Sequence, residues 1–236
     1  MEKREKLYEG KAKIIYATDE PDKVIAYYKD EATAFNAQKR ELYQGKGVLN
    51  NKIASLFFEL LKKHNIPTHY IKQLSDREML VYKVEIIPVE VVVRNLATGS
   101  IVKRLGIPEK TEFKPPLIEF YLKNDELGDP IICYEHILAM NLAKPEEIET
   151  IKKLALKINE ILSEFLKEKG ILLVDFKLEF GRLPDGTIVL ADEISPDTCR
   201  FWDLKTGERM DKDRFRLDLG DLTKYYEEVL KRLEGR

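Results

Sequence analysis

Apolar residues recur along this chain with two periods, and the switches between them predict the order of its elements. Residues 48–65 (VLNNKIASLFFELLKKHN) set Ile53, Leu56, Phe57, Leu60 and Leu61 on one helical face, and Asn65 and Pro67 end the run. Residues 145–170 hold the clearest helix, with Ile148, Ile151, Leu154, Ala155, Ile158, Ile161, Leu162, Phe165 and Leu166 in one stripe. Pro145 suits its first turn, Glu146 and Glu147 suit the positive end of its dipole, and Gly170 stops it. Residues 221–235 form a last amphipathic helix with Asp221 as its cap. Elsewhere the period is two. KAKIIYAT (11–18), a turn at 19–22 and KVIAYYKD (23–30) open the chain as strands. Residues 77–95 are strongly β-branched, and Pro88 predicts a strand, a break and a second strand, with the break as the candidate hinge between two lobes. Early strands, mixed later elements and repeated hairpins indicate an α+β fold.

The stretch LLVDFKLEFG (172–181) carries the densest chemistry. Alternate residues of a strand share a face, so Asp175, Lys177 and Glu179 crowd one side while Val174, Phe176, Leu178 and Phe180 pack the other. A PDG turn follows, then TIVLADE (187–193). A turn centred near Asp185 brings Glu179 opposite Asp192, to within a residue or two. Two converging carboxylates offer hard oxygen ligands suited to Mg²⁺ on substrate phosphates. A solvated edge hairpin explains the DxKxE pattern alone equally well; the converging Asp192 favours function.

Three more segments carry candidate binding groups. Gly10 precedes Lys11 and Lys13, a glycine turn and paired lysines that suit a triphosphate but also suit a lysine-protected edge strand. In RNLATGSIVKRLG, Arg94 ends a strand and Ser100 stands where the cap of a short helix belongs, with Gly106 ending that helix; a capped helix with a structural arginine is the plainer reading. In ADEISPDTCRFWD (191–203), Ser195, Asp197 and Arg200 follow the metal carboxylate directly, as binding residues or as a local Asx turn. LKNDELGDP, with Lys123 and Asp129, reads most simply as a surface loop, and His64 and His69 as helix-terminal or surface histidines.

Composition narrows the class. The 236 residues are 44% hydrophobic and 35% charged with a net charge of −2, which fits a soluble globular protein and not a general nucleic-acid binder. The opening MEKREKLYEGK lacks an apolar leader core, and no apolar run is long enough to span a membrane. Two cysteines, Cys133 and Cys199, without metal-ligand spacing, fit a reducing, cytoplasmic compartment.

Taken together, the segments resemble the phosphoribosylaminoimidazole-succinocarboxamide synthase (SAICAR synthetase) family. IIPVEVVVRNLATGS and LVDFKLEFG look like its two signatures, and YEGKAK, NNK at 50–52, SDREMLVYK, KNDELGDP, DEISPDTCRFWD and DKDRFR match in order, so the resemblance covers nearly the whole chain. It implies a two-lobed α+β fold with an ATP cleft, loosely like ATP-grasp enzymes and kinases. Residues 1–86 would be the nucleotide lobe and 87–236 the lobe with the metal and substrate sites, with the hinge at 85–88 beside adenine. It implies an Mg²⁺- and ATP-dependent ligase joining L-aspartate to the carboxylate of CAIR, an aminoimidazole ribotide, and a homodimer. By the same resemblance Glu179 and Asp192 hold Mg²⁺, and Gly10, Lys11 and Lys13 meet the phosphates. Lys177 neutralises the moving charge, and Asp175 orients Lys177 or binds the aminoimidazole. Arg94, Ser100, Asp197 and Arg200 bind CAIR, and Glu90, Lys123 and Asp129 approach it, Glu90 and Asp129 through a second Mg²⁺. A small-molecule kinase and a non-catalytic nucleotide-binding module are the rival readings; anion-binding groups in three separate segments exceed what nucleotide binding alone requires.

Overall fold

The computed structural model describes residues 2–35 and 38–236, so of the charged opening segment only Met1 lies outside. The first half runs β1 (Lys3–Glu9), β2 (Lys13–Thr18), β3 (Lys23–Tyr28), β4 (Glu31–Ala34), β5 (Lys39–Leu42), α1 (Lys46–Lys63), β6 (Tyr70–Gln73) and β7 (Glu78–Tyr82). The second runs β8 (Glu85–Leu96), α2 (Ser100–Leu105), β9 (Glu112–Leu122), β10 (Ile131–Ile132), α3 (Tyr134–Ala139), α4 (Pro145–Glu168), β11 (Ile171–Arg182), β12 (Ile188–Leu190), β13 (Cys199–Asp203), α5 (Asp213–Arg216) and α6 (Leu222–Glu234). One antiparallel sheet has the order β1-β2-β3-β7-β6. A second has the order β10-β9-β8-β11-β12, with β13 also paired to β11; β4 and β5 form a separate hairpin.

The sheets divide by sequence, but the buried core does not. Phe57 of α1 meets Phe165 of α4 and Phe201 of β13 with ring centroids 6.4 and 6.1 Å apart. The backbone of residues 67–69 pairs with Leu190 of β12: the His69 N–H donates to the Leu190 carbonyl at 2.8 Å, and the Leu190 N–H to that of Pro67 at 3.0 Å. β11 lies at the centre of the second sheet, and α4 covers it. Val174, Phe176, Leu178 and Phe180 are all buried, as are Ile151, Ala155, Ile158 and Leu162 of the helix. Reciprocal amide bonds between Asn95 and Asn159 (2.8 and 2.9 Å) tie α4 to β8. The polar face of β11 is thereby fixed by the burial of its apolar face.

Three local expectations change. Pro88 lies inside β8, which is unbroken; the gap falls at Lys83 and Val84. The β8–β11 register shifts between Glu90↔Glu179 and Ile86↔Gly181, and the pairing with β9 begins only at Val89, so the missing proline N–H falls where the ladder is irregular. The Pro88 carbonyl still accepts the Lys123 N–H at 3.1 Å. Asp221 does precede α6, yet its φ of 51° is left-handed and its side chain makes no capping bond; a side-chain cap needs an extended backbone at that position. Finally, β2 starts at Lys13, so Lys11 lies before the strand and strand alternation does not apply to it.

The start of α4 gives a stability test. Glu147 accepts the Lys144 N–H (2.7 Å) and grips Arg182 of β11 at 2.6 and 2.9 Å. The Arg182 contact, opposed by partial burial, pulls its carboxyl down to about 2. Its contribution is therefore present above an unfolded value near 4.5 and lost as pH falls toward 2. Glu147→Gln should cost about 1–2 kcal/mol at pH 7 in chemical denaturation, and the difference from wild type should shrink below pH 4. A gap that persists at low pH would contradict this.

Candidate active site

The β11–β12 hairpin delivers two carboxylates to one place. Its turn closes through the Gly186 N–H to the Leu183 carbonyl (2.9 Å), and the Ala191 N–H donates to the Glu179 carbonyl at 2.9 Å, so Asp192 stands one residue beyond the position opposite Glu179. Glu90 of β8 pairs with Glu179 from the other side. The Lys177 ammonium joins them: it donates to Glu179 Oε1 at 2.5 Å and Glu90 Oε1 at 2.9 Å, with Asp192 Oδ2 at 3.6 Å. Lys13, reaching over from the first sheet, pairs with both Asp192 and Glu193, and Lys123 approaches Glu179 at 3.1 Å. Burial alone would push Lys13 and Lys177 toward neutrality. The carboxylates overcome it and hold both well above the ordinary lysine value. Asp192 is driven the other way: burial opposes its charge, but Lys13 and Lys177 keep it well below the usual range.

Glu179 and Asp192 are the oxygen donors that fit a divalent cation of the Mg²⁺ class, which commonly takes one or two carboxylates and completes its shell with water and phosphate oxygens. Among the described residues, no group of three or more His, Cys, Asp or Glu is arranged as a metal site. Asp129 stands aside, accepting the Asn124 N–H at 2.9 Å and influencing Glu90 only through space. Lys11 does not share the target of Lys13; it turns to Asp125 at 2.6 Å.

Two cavities flank this charge cluster. One, of about 290 Å³, is walled mainly by apolar side chains including Ile15, Val24, Ala26, Met79, Val81 and Ile86. Lys13, Ala191, Tyr82, Lys83 and Val84 are also among its lining. His69 lines it too, half-buried with its ring 5.5 Å from that of Phe58. Burial, aided by Lys13, drives its imidazole down to about 3, so His69 is a neutral wall and not a surface histidine.

The other cavity, of about 160 Å³, is cationic: Arg94, Lys177, Arg200 and Arg216 line it against the carboxylates of Asp175 and Asp197. A chain of ion pairs shapes it. Glu119 holds Arg94 (2.8 Å), Arg94 holds Asp175 (2.6 Å), and Asp175 holds Arg200 (2.9 Å). Asp213 then holds Arg200 (2.8 Å) and Arg216 (2.7 Å). Asp175 thus positions two guanidiniums and does not orient Lys177, which Glu90 and Glu179 hold instead. Gly99 sits at φ 66°, and a β-carbon there would come within 2.6 Å of Arg200 Nη2, so glycine is required both for the backbone and for the guanidinium. Gly99, not Ser100, is the cap of α2. Ser100 opens the helix, and its hydroxyl accepts from Arg94 Nη2 at 3.3 Å.

Asp197 lines the same cavity but is heavily engaged. Its carboxylate accepts from Lys46 (2.5 Å), Asn50 (2.9 Å) and Tyr226 (2.6 Å). Burial opposes its charge, and Lys46 with Lys212 holds the carboxyl far below the usual range. Lys46, Glu193, Asp213 and Arg216 join the site without a role predicted from the sequence. Lys46 meets Asp197 from 151 positions apart and Glu193 meets Lys13 from 180, and no local spacing signals such pairs; Asp213 and Arg216 are an i,i+3 pair on α5, but their link to Arg200 forms only through the fold.

A family model described as SAICAR synthetase matches residues 6–233. A protein of Persephonella marina named phosphoribosylaminoimidazole-succinocarboxamide synthase is 75% identical over 236 residues, covering 100% of this chain and 99% of its own. The crystal structure of the synthase of that name from Ehrlichia chaffeensis superposes with a TM-score of 0.96 at 54% identity, over 98% of both chains. A structure described as SAICAR synthetase (Type-2) in complex with ADP gives a TM-score of 0.94 at 51% identity, over 97% of both chains.

The engagement of Asp197 can be measured. Lys46→Met keeps the stem but leaves a buried carboxylate without its cation, and should lower stability by about 3–5 kcal/mol in urea denaturation. A loss within experimental error would mean that Asp197 is not held as the structure describes.

Proposed function

We infer the function from one premise: the chain belongs to the SAICAR synthetase family. It is an ATP-dependent carboxylate–amine ligase of de novo purine biosynthesis, and ATP is its nucleotide. Its proposed substrates are CAIR and L-aspartate, and its products SAICAR, ADP and phosphate. A carboxylate is a poor electrophile because oxide would have to leave. In the proposed route the CAIR carboxylate oxygen attacks the γ-phosphorus of ATP and ADP departs. The aspartate amine then adds to the acyl carbon, phosphate leaves, and the amine proton passes to solvent.

One observation carries this reading: Lys177 lines the cationic cavity, Lys13 lines an apolar cavity of purine size, and Asp192 lies between the two ammonium groups. The adenine is assigned to the apolar cavity lined in part by residues 82–84 and 86, and the phosphates to Lys13 and the Gly10 turn, with Lys11 beyond. Glu179 and Asp192 would hold Mg²⁺, with Glu90 beside them. That ion, when bound, would draw charge from the phosphate oxygens. The Lys177 ammonium does the matching work in the protein: it leaves its carboxylate partners for the oxygens between which the phosphoryl group moves, where charge is greatest in the transition state.

The phosphate and carboxylate of CAIR are assigned to Arg200, Ser100 and Lys123. Arg94 bonds through all three of its nitrogens, and with Asp175 it keeps Arg200 in place. In this assignment residues 1–86 supply the nucleotide lobe and 87–236 the metal and acceptor sites, and the enzyme is a cytoplasmic homodimer. The compartment is inferred from two free cysteines, Cys133 and Cys199.

Incubation with ATP, Mg²⁺ and CAIR should give SAICAR only when L-aspartate is present; a phosphorylated hydroxyl as the end product would favour a kinase instead. Lys177→Ala should lower kcat by at least about 100-fold with little change in ADP affinity, and unchanged turnover would reject its role. Asp192→Asn should raise the Mg²⁺ concentration needed for half-maximal rate by about tenfold or more. A wild-type Mg²⁺ curve would remove Asp192 from the metal site.

A further inference from the structure

Two segments take no part in the site as assigned, the start of α1 with its NNK run and the SDRE turn between β6 and β7, yet together they set where Asp197 stands. α1 is 18 residues long and begins without a cap of its own: Gly45 precedes it at φ 85°, no side chain caps it, and its first turn holds no acidic residue. The orphan N–H groups there need an acceptor. Asp30, 17 positions before Gly47, supplies one, its Oδ1 accepting the Gly47 N–H at 2.9 Å. A carboxylate also suits the positive end of the helix dipole.

Arg77 holds that carboxylate with a fork. Its Nη1 and Nη2 donate to the two oxygens of Asp30 at 2.8 and 2.7 Å, and Nη1 also reaches the Tyr28 carbonyl at 3.3 Å. Burial opposes the charge of Asp30, and Arg77 with the N–H groups of Gly47 and Gly45 keeps its carboxyl below the usual range. Gly47 is needed at this junction, since a β-carbon would collide with the Tyr28 carbonyl and come within 2.8 Å of Arg77 Nη1. One turn further on, buried Asn51 donates to the Ser75 and Asp76 carbonyls at 2.9 and 3.0 Å. The β6–β7 turn thus grips the start of α1 at two points.

The same turns of α1 carry Lys46 and Asn50, both buried, which bond Asp197 at 2.5 and 2.9 Å. Lys46 also donates to the carbonyl of Glu31, the neighbour of Asp30, at 3.2 Å. Asp197 lines the cationic cavity, whereas Arg77 and Asp30 line neither cavity described above.

We propose that Arg77 and Asp30 are positioning residues for the acceptor substrate: they fix the setting of α1 from which Lys46 and Asn50 aim Asp197 into the cationic cavity. The proposal rests on the ligase reading and places a determinant of CAIR binding on the sheet assigned to the nucleotide. It requires the planar fork of arginine, because a lysine carries the charge but cannot hold both oxygens in one orientation.

The test is steady-state kinetics of Arg77→Met and Arg77→Lys against wild type, with ATP, CAIR and L-aspartate varied in turn and urea denaturation alongside. A small misplacement of a group in a substrate site costs up to about 100-fold, so Arg77→Met, acting through a helix, should raise the KM for CAIR about tenfold while the KM values for ATP and L-aspartate stay within about twofold. Arg77→Lys should recover only part of the loss. If Arg77→Met does not fold, Asp30→Asn, which keeps an oxygen for the Gly47 N–H but loses the ion pair, should show the same change in the KM for CAIR. Reduced stability with all three KM values unchanged would make the pair merely structural, and a rise confined to ATP or L-aspartate would place its effect elsewhere; either result overturns the proposal and leaves the ligase reading standing. If wild type forms no SAICAR with all three substrates present, the ligase reading fails and the proposal with it.

Discussion

Four carboxylates and three ammonium groups share one patch at the meeting of the two sheets, where the carboxylates hold Lys13 and Lys177 charged against burial, those two lysines hold Asp192 charged, and burial with Asp192 raises Glu193 to about 7. Glu90, Glu179, Asp192 and Glu193 face Lys13, Lys123 and Lys177. Desolvating an isolated charge costs several kcal/mol, and removing one partner of a buried pair leaves that cost uncompensated. The patch is therefore a constraint on the whole fold. Lys13 comes from the first sheet and its carboxylates from the segment after β12, so the ion pairs hold together the two walls between which a nucleotide would lie. A site so balanced is also responsive, because a polyphosphate and its cation bring the charges that can release each ammonium from its resting partner.

The position of the patch follows from the apolar side of the same strand. Val174, Phe176, Leu178 and Phe180 bury against the core, and alternation then leaves Lys177 and Glu179 no other face to occupy. The Arg94–Asp175–Arg200–Asp213–Arg216 chain extends the arrangement from the sheet to α5. Its guanidiniums are fixed before any ligand arrives, which reduces the ordering cost of binding an anion.

Much of this was legible in the sequence, and its failures have a common cause. The alternation in LLVDFKLEFG set the two faces of β11, and the PDG turn located the register of Asp192 to within one residue of its observed place. α4 begins at Pro145, as its composition implies. Where a signal depended on backbone detail, it misled: Ser100 has the chemistry of a cap, but Gly99 alone tolerates the dihedrals and the nearness of Arg200. Pro88 has the chemistry of a break, but a register shift absorbs it. Nothing in the sequence marks Lys46 as the partner of Asp197, or Glu193 as a partner of Lys13, because those pairs form only when distant segments pack. Local spacing reports which face a residue occupies; it does not report which charge will face it.

The most direct measurement is a crystal structure with ADP, Mg²⁺ and CAIR bound. The proposed site requires one cation held by Glu179 and Asp192 with oxygen distances of about 2.1 Å. It also requires the Lys177 ammonium within hydrogen-bond reach of both the nucleotide side and the CAIR carboxylate. A structure in which Glu179 and Asp192 point into separate regions of solvent, with Lys177 touching neither ligand, would contradict it.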